Sequence, residues 1–511
     1  MKNLQLDGRS LDLQDLAPLA AGEAVSLTVA GDALSAVARS REYVESIVQR
    51  GDVVYGLTTG FGRLKNVAIP AGDLEALQRN LVLSHCVGTG EPMPVEEVRL
   101  AQVLRLNSLL RGYSGVRVEL IEALVRLFNA GVVPVVPQQG SVGASGDLAP
   151  LSHMTAVYLG HGEAWLGDRR MSAVEALAAV GEEPVVLEAK EGLALINGTE
   201  IMKAVGVVNV LRADNLSRSS DAIAALTIEA LHGSSRPFQE RLSELKGDEG
   251  QSRTAANLRA CLVDSEILES HEDCDRVQDP YSLRCVPQIH GAFKNALAHV
   301  REILGRELNA VTDNPIVDAQ EQEVYSAGLF HGQPLSMTQD YLGVATCTLA
   351  NVSERRIEQM VNPDLSRLPA FLTPKPGLHS GLMIAQYTAA SLASENKVLA
   401  HPASVDTIPT SASQEDHVSM GVTAARKARS ILDHTEQVLA IEWVCASQAR
   451  EFHPDLKAGQ GAAAARELLR RHVPALDEDR FLHPDLECAR ALLADGALVA
   501  AVEARAGALR P

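Results

Sequence analysis

Apolar residues recur three and four positions apart along most of this chain, which is the spacing of one face of an α-helix. Residues 73–85 show the pattern clearly, because Leu74, Leu77, Leu81 and His85 fall on one stripe. Glycines and prolines separate such stretches and indicate where helices end. The pattern predicts a mainly helical chain. The principal predicted helices cover residues 94–111, 118–130, 198–231, 295–311, 337–360, 380–399 and 411–443.

Composition supports a helical protein with a large core. The chain has 511 residues, of which 46% are hydrophobic and only 4% aromatic, so Ala, Leu and Val supply most of the apolar surface. Such side chains favour helices packed closely against helices. We predict an all-α fold with several long helices in a central bundle. We divide it into an N-terminal region (1–200), a long-helix region (201–450) and a C-terminal helical tail (451–511).

Charge and hydropathy argue against two classes of partner. The formal net charge is −19 and no run is rich in Lys and Arg, so we expect no nucleic-acid-binding face. No segment approaches the roughly 18 apolar residues of a membrane span. The N-terminus also lacks the apolar stretch of a signal peptide.

The cysteines and one acidic stretch bear on location and on metals. The seven cysteines are scattered, with no Cys-x-x-Cys pair, which is typical of reduced thiols and predicts a cytoplasmic protein. His271–Asp275 has the composition of a metal cluster, but its spacing does not fit a zinc site. We interpret it as an acidic surface turn and expect no metal.

The most unusual chemistry is expected in Gly140–Met154, whose centre is Ala144-Ser145-Gly146. The nitrogen of Gly146 can attack the carbonyl carbon of Ala144, because glycine has no Cβ to hinder a five-membered ring. Loss of two water molecules, one from the Ser145 hydroxyl, leaves a methylidene-imidazolone (MIO), an electrophile made from the chain itself. Asp147 is expected to cap the helix that follows. An ordinary helix-initiating turn is the alternative interpretation.

The sequence around this triplet, Gly-Ser-Val-Gly-Ala-Ser-Gly-Asp-Leu-Ala-Pro-Leu, resembles the cofactor loop of the aromatic amino-acid ammonia-lyases. The resemblance covers most of the chain. The stretch Tyr-Gly-Leu-Thr-Thr-Gly-Phe-Gly, which begins at Tyr55, is similar to the loop that carries the family's catalytic tyrosine. The pair Ser84-His85 and the triplet Gln414–Asp416 have the form found in the branch that acts on histidine.

Other motifs of the same resemblance carry candidate binding residues. In Val277–Pro287, Gln278, Tyr281 and Arg284 are spaced three apart, which would present them to one side of a helical turn. Asn197, the candidate in Glu191–Glu200, could also be the cap of the next helix. Glu415 is predicted in the first turn of a helix that starts near Ser411. The candidates in these motifs, including Gly328–Pro334, are Asn197, Gln278, Tyr281, Arg284 and Phe330.

The resemblance implies an ammonia-lyase/fumarase-like fold and elimination of ammonia from an amino acid. Its cofactor would be the MIO group formed by Ala144, Ser145 and Gly146, with no diffusible cofactor. Tyr55 would take the β-proton, if neighbouring dipoles lower the pKa of its phenol. Tyr281 is the next candidate for that role.

The same resemblance assigns the substrate contacts. Arg284 would hold the substrate carboxylate through a two-pronged hydrogen bond. His85 and Glu415 would bind the side chain, which implies L-histidine as the substrate and trans-urocanate as the product. The further residues implied in orienting the reacting groups or binding the substrate are Asn197, Gln278, Tyr281 and Phe330. A homotetramer with active sites shared between chains is also implied.

Two alternatives remain open. The chain departs from the histidine branch at Thr58, Leu329 and Gln333, so a phenylalanine or tyrosine ammonia-lyase, or an aminomutase, is a second enzyme interpretation. A non-catalytic helical scaffold is the alternative from another class. Loss of Ser145 or Tyr55 would have favoured the scaffold, and both residues are present.

Overall fold

The computed structural model describes residues 2–60, 62, 65–271, 277–453 and 455–511. Helices dominate this part of the chain, and the predicted all-α class is confirmed. No helix in the described ranges is both long and apolar enough to cross a membrane.

The helices are joined by short turns in some places and by longer loops or short strands in others. Three of them have about thirty residues: α9 has 31, and α15 and α18 have 29 each. In order the helices are α1 Leu13–Ala20, α2 Gly31–Arg50, α3 Leu74–His85, α4 Val95–Leu109, α5 Val118–Asn129, α6 Leu148–Tyr158, α7 Ala173–Ala179, α8 Glu191–Ile196, α9 Glu200–Ala230, α10 Glu240–Lys246, α11 Glu249–Cys261, α12 Glu266–Glu269, α13 Tyr281–Arg284, α14 Val286–Glu307, α15 Gln333–Val361, α16 Pro363–Ser366, α17 Met383–Leu399, α18 Gly421–Ala449, α19 Gln460–Arg470, α20 His483–Ala494 and α21 Ala497–Ala506.

The strands are short and form small local sheets. Strands β1 and β2 pair in parallel, β3 pairs with β5 antiparallel, β6 lies between β4 and β7, and β8 pairs with β9. The strands are β1 Lys2–Leu6, β2 Val25–Val29, β3 Thr89–Pro92, β4 Val132–Pro134, β5 Pro137–Gln139, β6 Glu163–Leu166, β7 Arg169–Ser172, β8 Ile316–Asp318 and β9 Glu323–Tyr325.

The described chain forms two compact units, each assembled from separate segments. The first unit contains Met1–Leu211, Arg301–Gln339 and Pro402–Arg426, and the second contains Arg212–Val300, Asp340–His401 and Lys427–Pro511. The three regions divided after residues 200 and 450 remain a prediction.

Most helices lie where the apolar spacing places them, and two begin elsewhere. Helix α14 begins at Val286, before the predicted residue 295, because apolar Val286 and Phe293 in its first turns are buried. The helix predicted from Ser411 begins at Gly421 instead. Ser411, Ala412 and Ser413 all have positive φ angles, which a right-handed helix does not accommodate.

A buried ion pair ties α4 to the start of α9 within the first unit. Arg105 Nη1 donates to Glu200 Oε2 and to the Asn197 carbonyl oxygen, both at 2.9 Å. Lys203 Nζ and Thr312 Oγ1 donate to the other oxygen of Glu200, at 3.2 and 2.8 Å. Burial alone would raise the pKa of Glu200, but Arg105 and Lys203 hold it below its ordinary value.

This pair generates a stability prediction. Replacing Arg105 by Met leaves the Glu200 carboxylate buried with fewer partners, which should lower the free energy of unfolding by about 3–5 kcal/mol. Arg126→Met is the matched control, since the Arg126–Glu182 pair is largely exposed on the arginine side and should contribute about 0–1 kcal/mol. Urea unfolding measures the free energy of unfolding of the two variants. Equal midpoints would show that the buried Arg105–Glu200 pair stabilises the protein no more than the exposed pair does.

Candidate active site

The loop before α6 bends sharply at the predicted triplet. Ser145 has φ 49°, and the glycines on either side of Ala144 and Ser145 have φ 85° at Gly143 and 79° at Gly146. Left-handed backbone is unfavourable for a serine, so the surrounding structure must hold it. A Cβ at Gly146 would lie 1.9 Å from the carbonyl oxygen of Gly198. The bend therefore requires glycine at position 146, as cyclisation also would.

Asp147 follows the bend and caps a helix, but not the predicted one. It stands at the N-cap position of α6 without a side-chain bond to that helix. Instead, Asp147 Oδ2 accepts hydrogen bonds from the backbone N–H groups of Ile201 and Met202, at 2.9 and 3.1 Å, in the first turn of α9. The Asp147 N–H donates to the Gly198 carbonyl oxygen at 2.7 Å. The carboxylate therefore ties the loop to the beginning of the longest helix.

One cavity of about 750 Å³ in the first unit opens beside this loop. Helix α3 contributes the polar residues Asn80 and Ser84 to its wall, and the other walls come from the Tyr55 loop, the 140–149 segment and the 410–415 segment. A volume of this size suits a small-molecule ligand. Five of the predicted site residues line it, namely Tyr55, His85, Ala144, Ser145 and Glu415.

Tyr55 lies in this cavity wall, but its phenol is not activated in the way expected. Burial raises the pKa of Tyr55, the Gly62 N–H lowers it, and the negative charge of Glu415 raises it further, so that the pKa lies above its ordinary value. The expectation that neighbouring dipoles lower this pKa is therefore wrong for the unmodified chain. The single N–H donor does not offset the loss of water around the phenol.

His85 ends α3 and lines the cavity. Its Nδ1 lies 2.7 Å from the carbonyl oxygen of Leu81, which can only accept, so Nδ1 carries the proton. In the neutral ring Nε2 is then an acceptor. Burial lowers the pKa of His85, although the Leu81 carbonyl and Glu415 oppose the shift.

Glu415 faces the same cavity from a turn, not from the helix predicted for it. Its backbone pairs with Thr410 through bonds of 2.9 and 3.3 Å. Among the described residues, its buried Oε2 atom has no hydrogen-bond partner. A buried oxygen of this kind is costly unless something donates to it. A ligand N–H entering the cavity would meet that need.

Asn197 lies beside the loop, although not as the cap of α9. It ends α8 in extended conformation. Its Nδ2 donates to the Asn314 carbonyl oxygen at 2.6 Å, and its buried Oδ1 has no partner in the described part of the chain. Gly198, the next residue, pairs with Gly146 in a parallel bridge. Asn197 therefore directly precedes the residue that contacts Gly146 of the triplet.

The remaining predicted residues occupy other places. Gln278, Tyr281 and Arg284 belong to the second unit and line a surface depression of about 530 Å³. Arg284 lies with its guanidinium carbon 4.4 Å from the Tyr281 ring centre, and its Nε donates to the Asp279 carbonyl oxygen at 2.9 Å. Only Tyr281 and Arg284 share the short helix α13, whereas Gln278 precedes it.

Within the described residues, neither these three nor Phe330 is part of the wall of the 750 Å³ cavity. Phe330 is half-buried in the turn before α15, in the first unit. Most of His271–Asp275, the predicted acidic turn, lies outside the described residues.

Two of the three departures from the family pattern, Thr58 and Gln333, make local hydrogen bonds. Thr58 Oγ1 donates to the Asp52 carbonyl oxygen at 2.7 Å and accepts from the Val54 N–H at 2.9 Å, so it closes the loop that carries Tyr55. Gln333 Nε2 donates to the Ser404 carbonyl oxygen at 3.1 Å. Neither residue lines the cavity in the part of the chain that is described.

Sequence reasoning missed Arg105 as a support of the site. The available signal was a single charge within the apolar run Val-Leu-Arg-Leu of α4. A cation inside such a run requires a buried partner. Its partner, Glu200, was visible only as the last residue of a motif.

Comparison with known proteins gives consistent relatives over nearly the whole chain. The model of the aromatic amino acid lyase family matches residues 11–471. A histidine ammonia-lyase of Myxococcus xanthus (strain DK1622) is 50% identical over 497 residues, which are 97% of this chain and 98% of that protein.

Two solved structures extend this similarity to the fold. Histidine ammonia-lyase from Trypanosoma cruzi superposes with a TM-score of 0.92 at 39% identity, over 99% of this chain and 95% of that one. Tyrosine aminomutase from Streptomyces globisporus gives a TM-score of 0.93 at 35% identity, over 98% of this chain and 99% of that one. The fold is therefore common to proteins named for different substrates.

The bend at Gly146 generates the second prediction. Gly146 and Gly131 both have φ 79°, but a Cβ at Gly131 meets nothing within 4 Å. The stability of Gly131→Ala should therefore fall only by the strain of an alanine in left-handed backbone, about 1–2 kcal/mol. Gly146→Ala must also displace Gly198 and should destabilise the protein clearly more. Thermal unfolding of both variants tests this, and equal losses would mean that the loop relaxes away from Gly198.

Proposed function

The chain belongs to the aromatic amino acid lyase family, and on this premise we propose that it removes ammonia from L-histidine to give trans-urocanate. The observation that carries the choice of substrate is that His85 and Glu415 line the same cavity as Ala144 and Ser145 of the triplet. The direct test is to incubate purified protein with L-histidine, L-tyrosine and L-phenylalanine and to compare the rates of product formation. Faster deamination of either aromatic competitor would refute the substrate and leave the lyase class intact.

The residues of the loop fit an MIO group made from Ala144, Ser145 and Gly146. Left-handed backbone at Ser145 and Gly146, together with the lack of space for a Cβ at Gly146, supports the bend that cyclisation needs. Such a group would supply an electrophilic carbon that makes the substrate amine a better leaving group. The hydrogen bonds from Ile201 and Met202 to Asp147, and from Asp147 to Gly198, hold the segment in place.

Tyr55 is the proposed acceptor of the β-proton. Burial and the charge of Glu415 both favour its neutral phenol, so a further positive charge is needed to favour the phenolate. The ammonium group of an incoming amino acid supplies that charge. The Gly62 N–H stabilises the phenolate in the same way.

The side-chain end of the cavity offers two acceptors to an imidazole ring. Glu415 Oε2 lacks a partner within the described chain, and His85 Nε2 is an acceptor because Nδ1 donates to Leu81. A ring with an N–H on each nitrogen, the imidazolium form of the substrate, satisfies both. A phenyl ring would leave both acceptors unpaired, at roughly 1–3 kcal/mol each. The site is thus suited to histidine and discriminates against phenylalanine.

A shared active site in a homotetramer is proposed for the carboxylate end. Gln278, Tyr281 and Arg284 belong to the second unit and, among described residues, do not line the cavity that contains Tyr55. An apolar stripe on α15, formed by Met337, Tyr341 and Val344, is 43–58% exposed in the single chain. Exposed apolar residues at this helical spacing support burial against another copy. A second copy could then bring its own Arg284 to the cavity.

A cytoplasmic location is proposed from the state of the cysteines. The cysteines of the described chain, including buried Cys261, Cys347 and Cys445, are all free thiols, which supports a reducing compartment such as the cytoplasm.

An aminomutase remains the second candidate, because the Streptomyces enzyme shares the whole fold. Product analysis by NMR distinguishes them, since a mutase yields a β-amino acid.

The third prediction concerns the triplet. Ser145→Ala should fold as wild type does but lack activity, because no hydroxyl can leave from residue 145. Intact-mass measurement should find the wild-type chain lighter than its sequence by two water molecules, and the variant without that deficit. Near-native turnover in Ser145→Ala would refute the proposed cofactor.

The fourth prediction concerns the ring pocket. Glu415→Gln removes the charge from the side-chain oxygen that faces the ring and should reduce kcat/KM for L-histidine at least about tenfold, while the two-water mass deficit survives. Asp416→Asn, an exposed acid in the same turn, is the matched control and should behave as wild type. His85→Leu should reduce histidine use selectively and admit phenylalanine or tyrosine. Equal losses in Glu415→Gln and Asp416→Asn would point to loop charge in general.

The fifth prediction tests the shared site. Tyr55→Phe and Arg284→Gln should each be nearly inactive when pure. If the two residues of one site come from different chains, an equal mixture of the variants produced together should recover about a quarter of wild-type activity. The control is a mixture in which one chain carries both substitutions and the other is Ser145→Ala. No recovery in the Tyr55→Phe and Arg284→Gln mixture, with tetramers formed, would assign both residues to the same chain.

A further inference from the structure

A second cavity, of about 480 Å³, lies in the second unit and is lined by cations. Its walls come from the residues that follow α18, from the beginning of α19 and from α21. In the described chain its charged wall residues are Arg450, Lys457, Arg466, Arg505 and the single acid Glu467. This composition is unusual in a chain with a net charge of −19.

Two of these cations already have acidic partners. Arg505 Nη1 donates to Glu467 Oε1 at 2.9 Å, and Arg466 Nη2 donates to Glu451 Oε2 at 2.9 Å. Glu451 also accepts from Arg470 at 2.8 Å. Glu451 and Glu467 are therefore engaged by Arg466, Arg470 and Arg505.

Arg450 is left with unsatisfied donors. It is only 4% exposed, and its Nη2 donates to the Leu456 carbonyl oxygen at 3.1 Å. Its Nε and Nη1 are buried and have no hydrogen-bond partner among the described residues. Glu229 is near enough to act on Arg450 electrostatically, but its Oε1 accepts from the Gly459 N–H. A buried guanidinium with open donors favours an anionic ligand.

Lys457 supplies a second cation at the rim. Its backbone is fixed to Glu266, since the Lys457 N–H donates to the Glu266 carboxylate at 3.0 Å and the Lys457 carbonyl oxygen accepts from the Glu266 N–H at 3.0 Å. Its side chain is exposed, and no carboxylate of the described chain lies within ion-pair distance of Nζ. Lys457 can therefore turn to a ligand without breaking an existing bond.

The beginning of α19 adds a third contribution. Ala458 and Gln460 at its N-terminus line the cavity, and the Gly459 cap gives no side-chain hydrogen bond to the helix. The helix has 11 residues, so its dipole presents partial positive charge at this end. Anions bind readily at such termini.

We propose that this cavity binds the phosphate group of a small molecule, through the buried Arg450 guanidinium, the Lys457 ammonium and the N-terminus of α19. Arg450, on which Glu229 and Glu451 act only through space, and Lys457 form no ion pair within the described chain, and their two charges match that of a phosphate near neutral pH. The unpartnered Nη1 of Arg450 can donate a charge-assisted hydrogen bond to a phosphate oxygen. The volume exceeds that of free phosphate and admits a phosphate monoester. This site is separate in residues and in unit from the cavity of Tyr55.

Calorimetric titration of the full-length protein tests the site, with inorganic phosphate in one arm and AMP in the other. Sodium chloride keeps the ionic strength constant, so that screening does not mimic binding. We expect saturable binding of one phosphate group per chain. Lys457→Gln should weaken the Kd about tenfold, the effect of losing one charge-assisted contact. Lys246→Gln, a change of another exposed lysine in the same unit, should leave the Kd unchanged.

The outcomes are distinct. Binding of AMP but not of inorganic phosphate would identify a monoester as the ligand, and equal binding of both would identify the phosphate group alone as sufficient. Absence of saturable heat in both arms would overturn the proposal. Equal Kd values for wild type and Lys457→Gln, or an equal loss in Lys246→Gln, would overturn it as well. Arg450→Gln should abolish binding, and the Lys457→Gln result stands even if that buried variant fails to fold. An unchanged thermal unfolding midpoint in Lys457→Gln verifies its fold independently.

Discussion

The backbone contact between Gly146 and Gly198 is the constraint on which the active site depends. It joins the bend that contains Ala144-Ser145-Gly146 to the segment that begins the longest helix. There is no room for a Cβ between these two backbone segments. Asp147 strengthens the contact by capping α9 with its side chain. Arg105 holds the same helix start through Glu200 and the Asn197 carbonyl oxygen. A strained turn thus persists because a buried charge network fixes the helix against which it lies.

In the proposed reaction, the cavity has a proton-transfer end at Tyr55 and a recognition end at His85 and Glu415. Glu415 acts on both, because its charge raises the pKa of Tyr55 and opposes the burial that lowers the pKa of His85. Without a further positive charge, Tyr55 is therefore poorly set for base catalysis. In the proposed mechanism, a cationic substrate would compensate for Glu415, so the group that recognises the ring would also couple proton abstraction to the presence of substrate.

The second unit carries polar chemistry of a different kind. Arg284 and Tyr281 stack on each other and line a surface depression of this unit. The cavity around Arg450 lies in the same unit and contains neither of them. Assembly of chains and binding of a phosphate are independent proposals for these two surfaces.

The sequence by itself determined the helical class, most helix positions and the glycine-flanked triplet on which the proposed cofactor rests. Those features follow from short-range rules: apolar spacing fixes α3, α4, α9 and α15, and the absence of a Cβ at Gly146 permits cyclisation. The motif resemblance also led to five residues that line a single cavity.

Only the tertiary structure decided the long-range relations. Asp147 caps α9 because the chain brings a distant helix terminus to it, and sequence distance gave no sign of this. Positive φ angles at Ser411, Ala412 and Ser413 place Glu415 in a turn, where helix periodicity had predicted α-helix. The pKa of Tyr55 rises since burial outweighs one N–H donor, a balance that depends on neighbours from three segments. Local patterns fix elements, whereas burial and charge depend on which elements meet.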